Sequence, residues 1–502
     1  MIAELLLLAA AQAGPRTSAC AAMKTFTLPG VTLEITKAEW IAAGSSPPVP
    51  AGRGPAPPAS TLKLPAFCRV DGVIDRRTGA DGKPYGIGFA ITLPDDWNGR
   101  FLQQGGGGLN GTVAFPLGAQ AAGTTPALAR GFAVVTTDTG HAGGGFDSSF
   151  TREQQAGLDF AYQAIGRVAG LAKQIVAQYY ARPAAHSYFA GCSTGGREAM
   201  LMAERHPMFF DGIVAGAPAM RTNYSGIGDE WVAVALNGAQ PKLSESDKKT
   251  VIDGIVNQCD AADGVKDGIV FDTTCKFDPK LLVCKGAKAD GCLTASQATA
   301  LEKGFAGPKD SRGRQVYPGF PFDTGIAATQ GIPGHLNGGL NPVGPPFTAT
   351  SMDVDARADA ALTAGDMVSM TSAWTNLNTF SGRGGKLLFY HGVSDPWFSA
   401  NDTIDYYQRM TAANGGAAQV TNWSRLYLAP GMGHCQGGAA TLDSFDLLGA
   451  VVDWVEKGTA PAAVTATGRA FPGRSRPMCA YPAHAQYRGS GDIEDAKNFE
   501  CR

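Results

Sequence analysis

The sequence has no apolar run long enough to cross a bilayer as a helix, which takes about 20 residues, so no helical membrane span is expected. It also has no block of like charge. Its 42 Lys and Arg are scattered among 44 Asp and Glu, for a formal net charge of -2. Without a basic run interleaved with aromatics, no nucleic-acid partner is expected. There are no internal repeats, and the glycine run Gly105-Gly106-Gly107-Gly108 is not followed by the Lys-Ser or Lys-Thr that a P-loop requires. What the chain does have is size: 502 residues with 44% hydrophobic content can bury a large core, and the length suggests two or more domains.

The most informative segment is Gly191-Cys192-Ser193-Thr194-Gly195-Gly196, which follows the apolar run Ser187-Tyr188-Phe189-Ala190 and precedes the helix-like Arg197 to Glu204. Strand, sharp turn and helix in G-x-S-x-G spacing are the context in which a strained turn lifts a seryl oxygen above an α/β-hydrolase sheet. Ser193 is therefore the candidate nucleophile. The plainer alternative is a Gly-rich turn carrying an ordinary serine.

A seryl hydroxyl needs a base, and in this fold the partners follow in the order Ser, Asp or Glu, His. Lys386 to Gly392 reads as a buried strand, and Asp395 lies in the loop Val393-Ser394-Asp395-Pro396 that leaves it. Leu426-Tyr427-Leu428-Ala429 is a second strand and feeds Pro430-Gly431-Met432-Gly433-His434-Cys435. Asp395 is the candidate acid, against the alternative of a turn cap, and His434 the candidate base. His391 competes for the base but precedes Asp395, reversing the expected order. An oxyanion needs two backbone donors; Thr194 supplies one by position, and the glycine run after Phe101-Leu102 supplies the other.

Cys192 and Cys435 flank the proposed nucleophile and base, so a bond between them would tie the two loops together. With Cys-Ser, a lone Asp and His-Cys in this order, the chain resembles the tannase and feruloyl esterase family from about Cys68 to Cys501. Within it, Phe189-Ala190-Gly191-Cys192-Ser193, Tyr390-His391-Gly392-Val393-Ser394-Asp395 and Arg488-Gly489-Ser490-Gly491-Asp492 resemble the mono-hydroxyethyl terephthalate hydrolase branch. The resemblance implies Gly108 as the second oxyanion donor, a disulfide between Cys192 and Cys435, and phenolic acid esters, feruloyl or galloyl, as substrates. It and proximity suggest Cys20 with Cys68, Cys259 with Cys275, Cys284 with Cys292 and Cys479 with Cys501, although spacing alone does not fix the pairing. Trp397 and Phe398, next to Asp395-Pro396, are candidates to wall an aromatic acyl pocket; ordinary core packing is the alternative.

Ten cysteines, an even number, suit an oxidising compartment. Residues 1–13 end in A-x-A after an apolar stretch and read as a secretory signal, although Glu4 stands where a positive residue is usual. Residues 14–64 form an N-terminal arm with a Pro/Gly-rich linker, 65–221 and 385–502 the catalytic domain, and 222–384 an inserted lid. The lid carries scattered aromatics, Phe320, Phe322, Phe347 and Trp374, and the acidic stretch Cys259 to Ile269. Its closely spaced carboxylates suit a hard cation, yet the twelfth-position Glu of an EF-hand is missing, and a solvated turn is the alternative. The resemblance implies a calcium there, held by Asp260, Asp263 and Asp267 through side chains and by Val265 and Ile269 through carbonyls.

The expectation is thus an α/β-hydrolase core, a mostly parallel sheet flanked by helices, with an inserted lid. It would act as a secreted or periplasmic serine esterase on small aromatic esters, free or attached to plant polysaccharide or tannin. Competing readings are a terephthalate-monoester hydrolase and a catalytically inactive ligand-binding protein of the same fold.

Overall fold

The computed structural model describes residues 16–48, 62–272, 275–329, 332–337, 348–363 and 370–502. The expected leader at 1–13, most of the Pro/Gly-rich linker and Phe347 lie outside these residues. The chain divides into two compact units, Met1–Val214 with Thr379–Gly385 and Ala215–Asn378 with Lys386–Arg502.

The first unit is built on strands β1 (Leu33–Ile41), β2 (Phe67–Thr78), β3 (Pro84–Pro94), β4 (Arg100–Gln104), β5 (Ala133–Thr137) and β6 (His186–Cys192), in the order β1-β2-β3-β5-β4-β6. The β1, β2, β3 and β5 pairings are antiparallel, whereas β4 runs parallel to both β5 and β6. Along β2, buried residues alternate with half-buried ones, the mark of a strand with one face wet; β5, antiparallel to β3 and parallel to β4, is buried throughout, as a strand covered on both faces is. The helix Ala164–Tyr180 buries Ile165, Val168, Leu171, Ala172, Ile175 and Val176 at helical spacing and packs on β3, β4 and β5. It ends at Ala181, whose φ of 55° is left-handed, and Pro183 forbids its continuation. Cys20 is bonded to Cys68, pinning the N-terminal arm to β2. Strand β7 (Gly212–Gly216) carries the chain into the second unit.

There, β8 (Lys386–Gly392) and β9 (Ser424–Ala429) pair in parallel, and the helices Ala400–Ala413 and Leu447–Lys457 pack against β8. The segment after β7 has its own apolar cluster, in which Val232, Val251, Ile255, Leu301, Phe305 and Tyr317 meet. Two of its helices begin at full capping boxes, Ser244 with Asp247 and Thr294 with Gln297. Disulfides Cys259–Cys275 and Cys284–Cys292 staple this segment. Two terminal hairpins, β10 (Ala463–Thr467) with β11 (Ser475–Cys479) and β12 (Ala485–Tyr487) with β13 (Phe499–Cys501), are joined by Cys479–Cys501. Cys192 and Cys435 are disulfide-bonded as well, and no cysteine is free. Among the described residues no helix is long and apolar enough to cross a membrane.

Candidate active site

In the first unit, β6 ends at Cys192, Ser193 takes φ 65° and ψ -124°, and the helix Thr194–Arg205 starts on the next residue. A positive φ on a non-glycine residue is a strained turn held by its surroundings, and the surroundings are glycines for a steric reason. A Cβ on Gly191 would stand 2.3 Å from the Gly195 carbonyl oxygen, and one on Gly195 would stand 2.7 Å from that of Gly106. The glycine loop after β4 is thereby drawn onto the turn. Gly195 N–H donates to the Gly106 carbonyl at 3.1 Å, and the Thr194 hydroxyl donates to the Gly108 carbonyl. Beneath the loop, buried Glu198 accepts from Gly106 N–H at 2.9 Å and from Asn110 Nδ2 at 2.8 Å. Burial pushes the Glu198 carboxyl up, against the pull of Arg197 and these two donors.

In the second unit, Asp395 sits one turn beyond β8 and His434 in the loop beyond β9. Asp395 Oδ2 lies 2.7 Å from His434 Nδ1, while its Oδ1 accepts from Trp397 N–H at 2.9 Å and Phe398 N–H at 3.1 Å. Burial alone would raise this carboxyl; His434 and His391 outweigh it and hold Asp395 well below the usual carboxylate range. Because a carboxylate only accepts, the proton between the pair belongs on Nδ1, leaving the other imidazole nitrogen as a lone pair. That Nε2 is buried and has no hydrogen-bond partner. His391 differs: Nε2 faces the Phe398 carbonyl at 2.9 Å and Nδ1 the Thr403 hydroxyl at 2.8 Å. The carbonyl forces the proton onto Nε2, and the Thr403 hydroxyl occupies the remaining lone pair. Trp397 and Phe398 are half-buried, their rings 4.9 and 5.3 Å from that of His434.

Several groups around this pair carry no sequence signal. Asp229, on the helix Thr222–Asn237, is buried with Oδ1 unpartnered, and burial together with the charge on Asp395 raises its carboxyl. His335 is buried with neither ring nitrogen bonded; burial lowers its pKa to about 4. Asp323 accepts from Ser394 Oγ and Gly431 N–H. Of the scattered aromatics, Phe320 packs inside the apolar cluster and half-buried Phe322 packs against it, stacked on Phe305 at 4.3 Å, whereas Trp374 is exposed.

The acidic stretch folds onto its own amides. Asp260 accepts from Gly268 N–H at 3.1 Å, Asp263 Oδ1 from Val265 N–H at 3.1 Å, and Asp267 Oδ1 from Ile269 N–H at 3.1 Å. Asp267 Oδ2 is bonded to fully buried Arg476, with Arg474 at 3.6 Å. Asp263 Oδ2 is buried without a partner, and burial, reinforced by Asp267 and Asp260, pushes its pKa up to about 7. Among the described residues, no three His, Cys, Asp or Glu side chains converge as a metal cluster.

The mixed sheet, the strand-to-helix turn at Ser193 and the loops beyond β8 and β9 are those of an α/β-hydrolase. Residues 68–352 and 344–502 match the family model for tannase and feruloyl esterase. The mono(2-hydroxyethyl) terephthalate hydrolase of Piscinibacter sakaiensis is 37% identical over 542 aligned positions, covering 92% of this chain and 89% of that protein. A probable feruloyl esterase of Arthroderma benhamiae is 31% identical, over 82% of this chain and 81% of that one. Feruloyl esterase B from Aspergillus oryzae superimposes with a TM-score of 0.79 at 27% identity, over 97% of this chain and 100% of that structure. The tannin acyl hydrolase of Aspergillus niger shares the fold, at a TM-score of 0.73 and 22% identity over 97% and 94%. The chain belongs to the tannase and feruloyl esterase family and is a carboxylic ester hydrolase.

Proposed function

We propose that this chain is a secreted serine esterase that cleaves aromatic acid esters, feruloyl or galloyl in type, through an acyl-enzyme. The observation that carries the reading is His434, fixed by Asp395 through Nδ1 with its Nε2 buried and unpartnered. Ser193 Oγ attacks the ester carbonyl as His434 Nε2 takes its proton, and Asp395 stabilises the imidazolium that results. Amides of Gly108 and Thr194 receive the oxyanion. The intermediate collapses, the alcohol leaves with the proton from His434, and water repeats the sequence on the acyl-enzyme. A bond between Cys192 and Cys435 would fix the spacing of nucleophile and base. Residues 222–384 act as a lid, and Trp397 and Phe398 wall the acyl ring. Ten oxidised cysteines support export.

A neutral phenolic acyl group is preferred to an anionic one, because Arg357, the late lid's candidate for a substrate carboxylate, already holds Glu230 at 2.6 Å. The second reading, a terephthalate-monoester hydrolase, is favoured by the 37% identity to the enzyme of that name. Turnover of methyl ferulate, methyl gallate, mono-hydroxyethyl terephthalate and a long-chain p-nitrophenyl ester separates the readings. Preference for methyl ferulate or gallate is expected. Efficient monoester cleavage that is lost in Arg357→Ala would establish the second reading, and preference for the long-chain ester would exclude both. A fluorophosphonate probe is expected to label Ser193; no labelling of the folded protein would restore the inactive-binder reading.

We propose that the acidic stretch takes a structural calcium. Its donors are all oxygen, which suits a hard cation, and the orphaned Asp263 oxygen is repelled by two further carboxylates. Asp260, Asp263 and Asp267, with the carbonyls of Val265 and Ile269, would hold the ion, which would stiffen the lid and take no part in the chemistry. Chelation is expected to lower Tm by several degrees, with recovery on added calcium but not zinc. An unchanged Tm together with no bound metal by elemental analysis would return this stretch to a solvated turn.

A further inference from the structure

Asp323 lies far in sequence from both Asp395 and His434, yet one of its oxygens joins the loops that carry them. Oδ2 accepts from the Ser394 hydroxyl at 2.6 Å and from Gly431 N–H at 2.7 Å. Ser394 immediately precedes Asp395, and Gly431 stands three residues before His434. The Ser394 hydroxyl, having donated to Asp323, accepts from Gly325 N–H at 2.9 Å, so the wedge Asp323-Thr324-Gly325 is seated on the acid loop twice. Its fit is close: a Cβ on Gly325 would come 2.5 Å from the Gly431 carbonyl oxygen and 2.7 Å from Ser394 Cβ. The loops also touch directly, through Ser394 N–H to the Met432 carbonyl at 3.0 Å.

Asp323 is itself buried. Both of these contacts are donors, so they favour the ionised carboxylate, while burial pushes its pKa upward. A buried carboxyl that spans two loops is costly unless its hydrogen bonds are all made.

We infer that Asp323 is a positioning residue for the esterase reaction: by holding Ser394 and Gly431 on one oxygen, it sets the separation of Asp395 and His434. The inference rests on the triad reading given under Proposed function. Its physical content is that a small error in the placement of a catalytic group is amplified in rate, about 10²-fold for about 1 Å. Asp323 touches no reacting atom, so substrate binding is little affected when it is lost.

The geometry also predicts which substitution is tolerated. The Ser394 and Gly431 donors converge on Oδ2, and an asparagine can place its carbonyl oxygen there and keep both bonds, giving up at most the backbone hydrogen bond from Thr324. An alanine cannot. Asp323→Ala is therefore expected to lower kcat on methyl ferulate about 10- to 100-fold with KM changed less than about threefold. Asp323→Asn is expected to retain kcat within about threefold, and Ser394→Ala to fall between the two.

A residue important only for folding would not alter the acid limb of the kcat/KM profile. A loosened Asp395 contact would, because that carboxylate stabilises the imidazolium; the limb in Asp323→Ala is expected to move to lower pH by several tenths of a unit or more. The charged and titratable groups acting on the pair are His391, Asp229 and His335, and all are unchanged in these variants. Native kcat and an unmoved limb in folded Asp323→Ala would overturn the inference. So would an Asp323→Asn variant as impaired as Asp323→Ala with the limb unmoved in both. If Asp323→Ala does not fold, Ser394→Ala alone decides, by the same kcat loss and limb shift or by their absence. Ser193→Ala separates this outcome from failure of the triad: an inactive Ser193→Ala beside a native Asp323→Ala removes only the positioning role, whereas an active Ser193→Ala removes the triad itself.

Discussion

Ser193→Ala and His434→Ala are each expected to lower kcat by about 10⁵- to 10⁶-fold, and the double variant to be no worse than either, because in the proposed mechanism nucleophile and base act as a unit. Circular dichroism and Tm should stay near native, since neither side chain anchors a strand or helix. His391→Ala is the informative control. Its Nε2 proton is shared between the Phe398 carbonyl and, at 3.4 Å, Asp395 Oδ2, and its Nδ1 lone pair faces the Thr403 hydroxyl, so no basic nitrogen is left to serve Ser193. Its loss should cost stability and a smaller part of the rate, by loosening the Asp395 loop. A His434→Ala variant with near-native turnover beside a His391→Ala variant without it would reverse the assignment.

Asp395→Asn is expected to cost about 10⁴-fold in kcat, and the structure gives the reason through the orientation of the new amide. Asp395 Oδ1 accepts two backbone N–H groups, from Trp397 and Phe398. Only the asparagine oxygen satisfies them, so the amide nitrogen must face His434 Nδ1. A donor there forces the imidazole proton onto Nε2, the atom that accepts the seryl proton in the proposed mechanism. The enzyme would remain folded and able to bind substrate with its base in the wrong tautomer. The pH profile separates this from simple loss of charge: with the wrong tautomer, activity should not recover on raising the pH to 9. Recovery of more than about a tenth of native kcat would refute it.

The α/β-hydrolase class was legible because it rests on local rules. The turn at Ser193 announces itself through glycines 191 and 195, where a side chain would strike the next turn or the neighbouring loop. Asp395 and His434 were readable as candidates because each follows a short apolar strand. The N-terminal part read as strand-rich, but its antiparallel pairing did not, since order and direction are set by tertiary contacts. His391 shows the same limit. Its position near a strand end made it a rival base, and only the Phe398 carbonyl and the Thr403 hydroxyl reveal where its proton goes. Glu198 and Asp323 were invisible for a related reason. Each is a carboxylate whose partners, Gly106 and Asn110 in one case and Ser394 and Gly431 in the other, arrive from distant parts of the chain. A lone acidic residue in a sequence is most often a solvated surface group.

The bond between Cys259 and Cys275 encloses the whole stretch from Asp260 to Ile269, with a sequence separation of 16. A closed ring this short denies the stretch most of the disorder it would otherwise have. Any cation that settles among Asp260, Asp263 and Asp267 therefore meets a loop already gathered, and its intrinsic affinity is not spent on ordering ten residues of free chain. Linkage makes the relation mutual: occupancy would protect the bond from reductants, and reduction would loosen the ion. Calcium content and thiol state would then report on the same local equilibrium, so a protein made in a reducing compartment would lose both together.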